Sequence, residues 1–133
     1  MNSNWQRLII NNFNEASYRY LNVAELQKKI AINLAEKCSK ESISSGLWLD
    51  LGSGTGLLAN ALEKIHSNQS VVRVDASESM LIQHPQDKTT ELFNLNTGLP
   101  KLSKPPTLIA SSFVLHWLKN PEERLKEWFY SLS

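Results

Sequence analysis

The sequence is short of several things, and each shortage excludes something. One cysteine, Cys38, stands in 133 residues, so neither an internal disulfide framework nor a zinc knuckle can form. A lone thiol fits a reducing compartment, and the expected localisation is cytoplasmic. Neither sign of charge dominates: fourteen Lys and Arg meet thirteen Asp and Glu, a net charge of +1. No global field therefore draws the chain to nucleic acid or to an anionic membrane. No apolar run is long enough to span a membrane. The start, "MNSNWQRLII", lacks the cationic-then-apolar order of a signal peptide. There are no internal repeats, no low-complexity segments and no three-ligand metal spacing, so no metal is expected. What is present is the composition of one globular domain, 41% hydrophobic and 20% charged. A chain of this length buries roughly two thirds of its unfolded surface.

Glycine is scarce too, with five in all, yet three of them fall within "LWLDLGSGTG", Leu47 to Gly56. The elements around this stretch alternate. Leu26, Ile30, Leu34 and Cys38 recur at helical spacing over Val23 to Cys38, and "SKESISSG" reads as a loop. Leu47 to Leu51 reads as a buried strand, and Leu57, Leu58, Ala61, Leu62 and Ile65 form a second helical stripe. Val71 to Val74 is a strand ending at Asp75. Ser77 can cap a short helix carrying Met80 and Leu81, which Pro85 stops. Glu91 to Leu95 and Thr107 to Ser112 are the third and fourth strands, with a Gly- and Pro-marked loop between them. Asn120, Pro121 and Glu123 signal a capped final helix with Leu125, Trp128, Phe129 and Leu132 on its apolar face.

Strands alternating with helices imply an α/β fold with a parallel sheet. A glycine loop after the first strand and an acid after the second place a ligand crevice at the strands' carboxyl ends. Three alternating glycines call for close approach to the backbone. The dinucleotide fingerprint is met by Gly54, Gly56 and Ala59, with Asp75 lying 19 positions after Gly56. Asp50 separates the candidate ligands. A carboxylate under the loop would repel a pyrophosphate and suit a ligand bringing an ammonium group. S-adenosylmethionine has such an amino-acid end, a ribose, an adenine and no phosphate. Asp50 would act on the amino-acid end through charge and loop geometry, and Asp75 would accept from the ribose hydroxyls. The plainer reading is a tight turn with an Asx bond.

"LDLGSGTG" followed by "VDASESML" resembles the first two motifs of class I S-adenosylmethionine-dependent methyltransferases. More narrowly, the chain resembles the malonyl-[acyl-carrier protein] O-methyltransferases of biotin synthesis. That likeness rests on Phe13, Ala16, Tyr18, Leu26 and Gln27, on "LNTGLP", and on "LIASSFVLHWLKNPEERLKEW". The resemblance implies a Rossmann-like class I methyltransferase fold, of which the first four strands are expected here. Residues 1–46 would form an N-terminal helical cap and 47–133 the cofactor-binding βα units. It implies S-adenosyl-L-methionine as cofactor, held by Asp50, Gly52, Ser53, Gly54, Gly56, Asp75, Ala76, Met80, Asn94 and Ser111. Asn94 or Asn96 stands where the family has an Asp that accepts from adenine; an amide oxygen can also accept. Ser111–Ser112 replaces the family's Ser–Asn, and His116 its Gln.

The implied reaction is methylation of the free carboxylate of a malonyl thioester, carried by an acyl carrier protein or coenzyme A. A carboxylate is already ionised at neutral pH, so no general base is needed. Tyr18, His116 and Trp117 are the candidate catalytic residues. Tyr18 reads as a lid or as packing, Trp117 as a pocket wall or a helix anchor, and His116 as a substrate contact or a surface residue. Arg7 and Arg19 are candidate cations for the acceptor carboxylate. His66 and His84 read as surface positions, and Cys38 as packed. Lys28, Lys29, Lys37 and Lys40 could dock an acidic carrier but read as a solvated helix face. The sequence stops one helix after its fourth strand, and by itself is expected to be an inactive N-terminal part of a longer domain. The alternatives are another small-molecule methyltransferase or a non-catalytic remnant of one.

Overall fold

The computed structural model describes residues 23–112 and 114–133, apart from the side chain of His116. Four parallel strands form one sheet: β1 (Trp48–Leu51), β2 (Val71–Asp75), β3 (Thr90–Leu92) and β4 (Leu108–Ala110). Their spatial order is β3-β2-β1-β4, so the chain leaves β1 in one direction and later returns to its other side. That reversal opens a crevice at the carboxyl ends. The register sets Asp50 of β1 beside Arg73 of β2 and Ala110 of β4.

Helices cover both faces. Helix α1 (Val23–Ser39) and α2 (Leu57–Ile65) lie on one, over Trp48, Val71 and Ala110. Leu58 and Leu62 of α2 are fully buried there, each worth about 1.5–3 kcal/mol. The stripe expected to seat α1 is only half-buried: Leu26, Ile30, Leu34 and Cys38 flank the contact, while Ala31 and Ala35 form its centre. Two alanines one turn apart let the helix axes approach closely, and the longer side chains close the sides. Cys38 is packed as expected, and burial, with Glu41 nearby, pushes its thiol pKa up.

The short helix α3 (Glu78–Leu81) starts where expected, with Ser77 Oγ accepting from the Met80 N–H at 3.3 Å. The third and fourth strands are shorter than the sequence pattern implies. Asn94 Oδ1 accepts from the Asn96 N–H at 3.0 Å and turns the chain into a 3₁₀ helix over Leu95–Thr97. Ser111 Oγ donates to the Leu51 carbonyl at 2.7 Å, so a side chain replaces the ladder just past β4. A second 3₁₀ turn, Leu115–Trp117, leads to α4 (Pro121–Ser131) on the other face.

Helix α4 departs from expectation in two ways. Asn120 makes no side-chain cap bond, and Glu123 faces Arg124 at 3.9 Å instead of completing a capping box. Of the four apolar residues assigned to its inner face, only Trp128 is buried, against Leu49, Leu51, Val74 and Leu95. Phe129 is 70% exposed.

Candidate functional site

The carboxyl ends of all four strands converge on a cavity of about 510 Å³, within the range of small-molecule sites. After β1 it is lined by Gly52, Ser53, Gly54 and Thr55, and after β2 by Asp75, Ala76, Ser77 and Met80. Phe93, Asn94 and Asn96 follow β3, and Ser112, Val114 and Trp117 follow β4. Gln27 reaches it from α1. Of the residues expected to hold cofactor, Gly52, Ser53, Gly54, Asp75, Ala76, Met80 and Asn94 line the cavity, whereas Asp50, Gly56 and Ser111 do not. Trp117 lines it and is 71% exposed. Tyr18, Arg7 and Arg19 lie outside the described residues, as does the His116 side chain. No cluster of three metal-ligating side chains occurs among the described residues.

The three loop glycines serve different ends. A Cβ on Gly52 would sit 2.5 Å from Val114 Cγ2, so this glycine makes room for the segment after β4. Gly56 has φ +95°, and a Cβ there would fall 2.7 Å from His84 Cε1. Gly54 alone has open space: a Cβ would meet nothing within 4 Å, and only its φ of +55° disfavours a side chain. The backbone face open to a ligand is therefore that of Gly54.

The loop's amides are largely engaged within the protein. Gly52 and Ser53 N–H groups both donate to the Val74 carbonyl, at 2.8 and 2.9 Å. Gly54 N–H donates to Asp75 Oδ2 at 2.9 Å, and Gly56 N–H to the Ser53 carbonyl at 2.9 Å. A pyrophosphate cradle works through free loop amides, and these four are taken. Asp75 also accepts from the Ser77 N–H through Oδ1, at 2.8 Å. Its carboxylate thus joins the glycine loop to the turn before α3, with further lone pairs left on each oxygen.

Asp50 lies beneath the loop at 1% exposure. Its Oδ2 accepts from the Ala59 N–H at 3.2 Å, and its Oδ1 has no protein partner. Burial pushes its pKa up to about 7, against the lowering effects of the Ala59 bond and Arg73; Asp75 adds to the rise. At neutral pH the carboxyl is therefore partly protonated. The charge argument against a phosphate weakens accordingly, while the engaged amides argue the same way on independent ground.

A buried polar network under the loop went unread in the sequence. Arg73, 0% exposed on β2, pairs with Glu63 of α2, which also holds Lys88 at 3.2 Å. Glu63 Oε2 accepts from the Val71 N–H at 3.0 Å. Arg73 Nη1 donates to His84 Nδ1 at 3.0 Å, and His84 Nε2 lies 2.7 Å from the Gly54 carbonyl oxygen. His84 is thus buried, against the expectation of a surface residue. The signal was present in "VVRV": a cation in the middle of a buried strand needs a partner close by. His66, half-buried, stacks edge-on against Trp48 with ring centres 5.0 Å apart, on the far side from the cavity.

With this geometry in view, the likenesses to known proteins are clear. Residues 49–133 match the family described as "Methyltransferase domain", and the chain belongs to that family. It has the Rossmann-like class I fold of S-adenosylmethionine-dependent methyltransferases. It is 29% identical over 132 residues to the malonyl-[acyl-carrier protein] O-methyltransferase of Bacillus cereus, covering 95% of this chain and 49% of that one. An S-adenosylmethionine-dependent methyltransferase from Mesorhizobium loti superposes with a TM-score of 0.58 at 25% identity, over 80% of this chain and 50% of the other. The plantazolicin methyltransferase BpumL, in complex with SAH, gives a TM-score of 0.63 at 18% identity, over 96% and 49%. The chain spans about half the length of the curated relatives it matches. No helix among the described residues is long and apolar enough to cross a membrane.

Proposed function

We propose that the cavity over Gly54 and Asp75 binds S-adenosylmethionine, and that the protein takes part in methyl transfer to a small molecule. One observation carries the reading: the open backbone face of Gly54 stands beside a carboxylate, in a loop whose own amides are mostly engaged. Such a wall suits a ribose with hydroxyl donors better than a pyrophosphate. The other fittings agree. Ser53 Oγ and Asp50 Oδ1 are buried without protein partners, and both can accept a hydrogen bond. Asp75 would hold the ribose hydroxyls, Gly54 and Ser53 the amino-acid end, and Met80, Phe93 and Asn94 the base. Asp50 would act from below, by its field and by fixing the start of α2 through Ala59.

When bound, S-adenosylmethionine supplies a methyl group on a cationic sulfur. The chain's part is positioning and water exclusion. Leu57, Leu58, Leu95, Val114 and Leu118 give the cavity apolar walls. Asp75 is the sole ionisable side chain among the described residues lining it, so no acid–base pair is in place there. That suits an acceptor already ionised at neutral pH, such as a carboxylate. The relatives' name supports a malonyl thioester on acyl carrier protein as the acceptor to test first, with coenzyme A as the alternative carrier. Arg7 and Arg19 remain candidates for holding its carboxylate, and Tyr18, His116 and Trp117 for contacts around the transferred methyl.

The test is transfer of a labelled methyl group from S-adenosylmethionine, by a chain extended to the length of the relatives, to malonyl-carrier protein, malonyl-coenzyme A and a panel of hydroxyl and ring-carbon acceptors. The malonyl thioesters should yield a base-labile methyl ester. Transfer to other acceptors alone would remove the malonyl reading and keep the methyltransferase. No transfer, together with no binding of S-adenosylhomocysteine, would remove both.

A further inference from the structure

Gly54 is held by both its backbone groups. Its N–H donates to Asp75 Oδ2 at 2.9 Å, and its carbonyl oxygen lies 2.7 Å from His84 Nε2. The Asp75 contact comes from the strand next to the loop. The His84 contact comes from 30 residues downstream, past α3. It also accounts for a second glycine, because a Cβ on Gly56 would fall 2.7 Å from His84 Cε1 and 2.8 Å from its Nδ1. The imidazole therefore occupies the space that the Gly56 hydrogen leaves open, and from there it reaches Gly54.

The proton positions on the ring follow from its partners. A carbonyl oxygen carries no proton, so Nε2 must carry one and donate it. A guanidinium nitrogen has no lone pair to offer, so Nδ1 must be bare and accept. Arg73 thereby selects the one neutral tautomer that can hold Gly54. Arg73 is in turn fixed by Glu63, which bonds the start of β2 through the Val71 N–H. A chain of buried polar contacts thus runs from the base of α2, through β2, to the peptide that faces the cavity. Buried polar networks rigidify the groups they hold, and this one ends on the ligand wall, not in the core.

We propose that His84 is a positioning residue for cofactor binding. It holds the Gly54 carbonyl so that the open face of the loop is presented to the ligand, with Arg73 and Glu63 fixing its tautomer. The proposal rests on reading the cavity as an S-adenosylmethionine site. It requires that a side chain able to donate from the same place substitutes for His84, and that an apolar one of similar volume does not. Glutamine can donate from Nε2 and accept from Arg73 through Oε1. Methionine fills comparable space and cannot donate.

The experiment compares wild type, His84→Gln and His84→Met in three measurements on the whole chain. These are titration calorimetry with S-adenosylhomocysteine, thermal unfolding without ligand, and amide hydrogen exchange over residues 52–58. The Met variant should fold, bind about 5- to 10-fold more weakly, as loss of one hydrogen bond predicts, and exchange faster at the loop. The Gln variant should bind within about threefold of wild type and keep the loop protected. Equal binding and equal loop exchange for Met and Gln would overturn the proposal. Global unfolding of the Met variant beside a folded Gln variant would do so too, by assigning His84 to core stability. If wild type itself does not bind S-adenosylhomocysteine, the cofactor reading falls. Loop exchange then still decides whether His84 holds Gly54.

Discussion

The two walls of the cavity are built on different plans. The wall formed after β1 and β2 is cross-braced: loop amides bond to Val74 and Asp75, Gly54 is held by both its backbone groups, and a buried chain of Glu63, Arg73 and His84 supports it from behind. The wall formed after β3 and β4 is held by more exposed hydrogen bonds, some of them between distant segments. Asn94 caps its own 3₁₀ turn, Asn96 Oδ1 accepts from the Lys119 N–H at 2.9 Å, and Trp117 stands largely in solvent. One wall has a geometry fixed before any ligand arrives. The other carries exposed side chains, Asn94, Asn96 and Trp117 among them. That division suits a site in which one constant ligand meets a fixed surface and a variable one meets the other, since preorganisation favours a single shape.

Breaking the braced wall should have the largest effect. Arg73→Leu leaves Glu63 without its buried partner and His84 without its donor, and should lower stability by about 3–5 kcal/mol. Chemical denaturation monitored by tryptophan fluorescence would read it, and a loss under 1 kcal/mol would show the network to be incidental. The glycines sharpen the contrast within one loop. Gly56→Ala adds a clash with His84 to a left-handed backbone and should cost on the order of 2–4 kcal/mol. Gly54→Ala, with open space, should cost only about 1–2 kcal/mol. Equal losses would mean that His84 does not occupy the space the structure gives it.

Asp50 adds a pH signature to the same wall. Its folded-state pKa is raised from 3.8 to about 7, chiefly by burial. The folded state therefore holds this proton more tightly than the unfolded chain does, and stability is lost as pH climbs from about 4 to about 7. Asp50→Asn keeps an acceptor for the Ala59 N–H and removes the charge. The variant should gain on wild type across that window, by on the order of 1–3 kcal/mol at pH 8. Parallel unfolding curves at pH 5 and pH 8 would contradict it. The open wall should be the least sensitive: Trp117→Ala should change stability by no more than about 0.5 kcal/mol, while any effect on turnover would mark an acceptor contact.

The same division explains what the sequence made legible. The braced wall is written in local pattern: an apolar run ending in Asp50, alternating glycines, and a second run ending in Asp75. Parallel pairing follows from the alternation of elements, whereas the strand order β3-β2-β1-β4 does not. Local pattern overstated β3 and β4, because Leu95 and Ser111 look like strand residues until Asn94 and Ser111 use their side chains to leave the ladder. It misplaced the centre of α1, because alanines carry little weight in a hydrophobic stripe yet set how closely helices approach. It placed His84 on the surface, whereas the fold buries it. The partners Gly54, Arg73 and His84 are spread over 30 residues, and only the buried arginine in "VVRV" hinted that a partner was needed. Asp50 is expected as a charged carboxylate under the loop. The fold sets it there, but buried deeply enough to hold on to its proton.

The central claim is that the braced wall is shaped for an adenosyl ligand without phosphates. Titration calorimetry of the purified chain with S-adenosylhomocysteine and with NAD, side by side at pH 7.5, tests it most directly. With the loop amides engaged and Asp75 turned to the cavity, S-adenosylhomocysteine should bind and NAD should bind at least about tenfold more weakly, a difference of about 1.4 kcal/mol. NAD binding as tightly as S-adenosylhomocysteine, or tighter, would contradict the account.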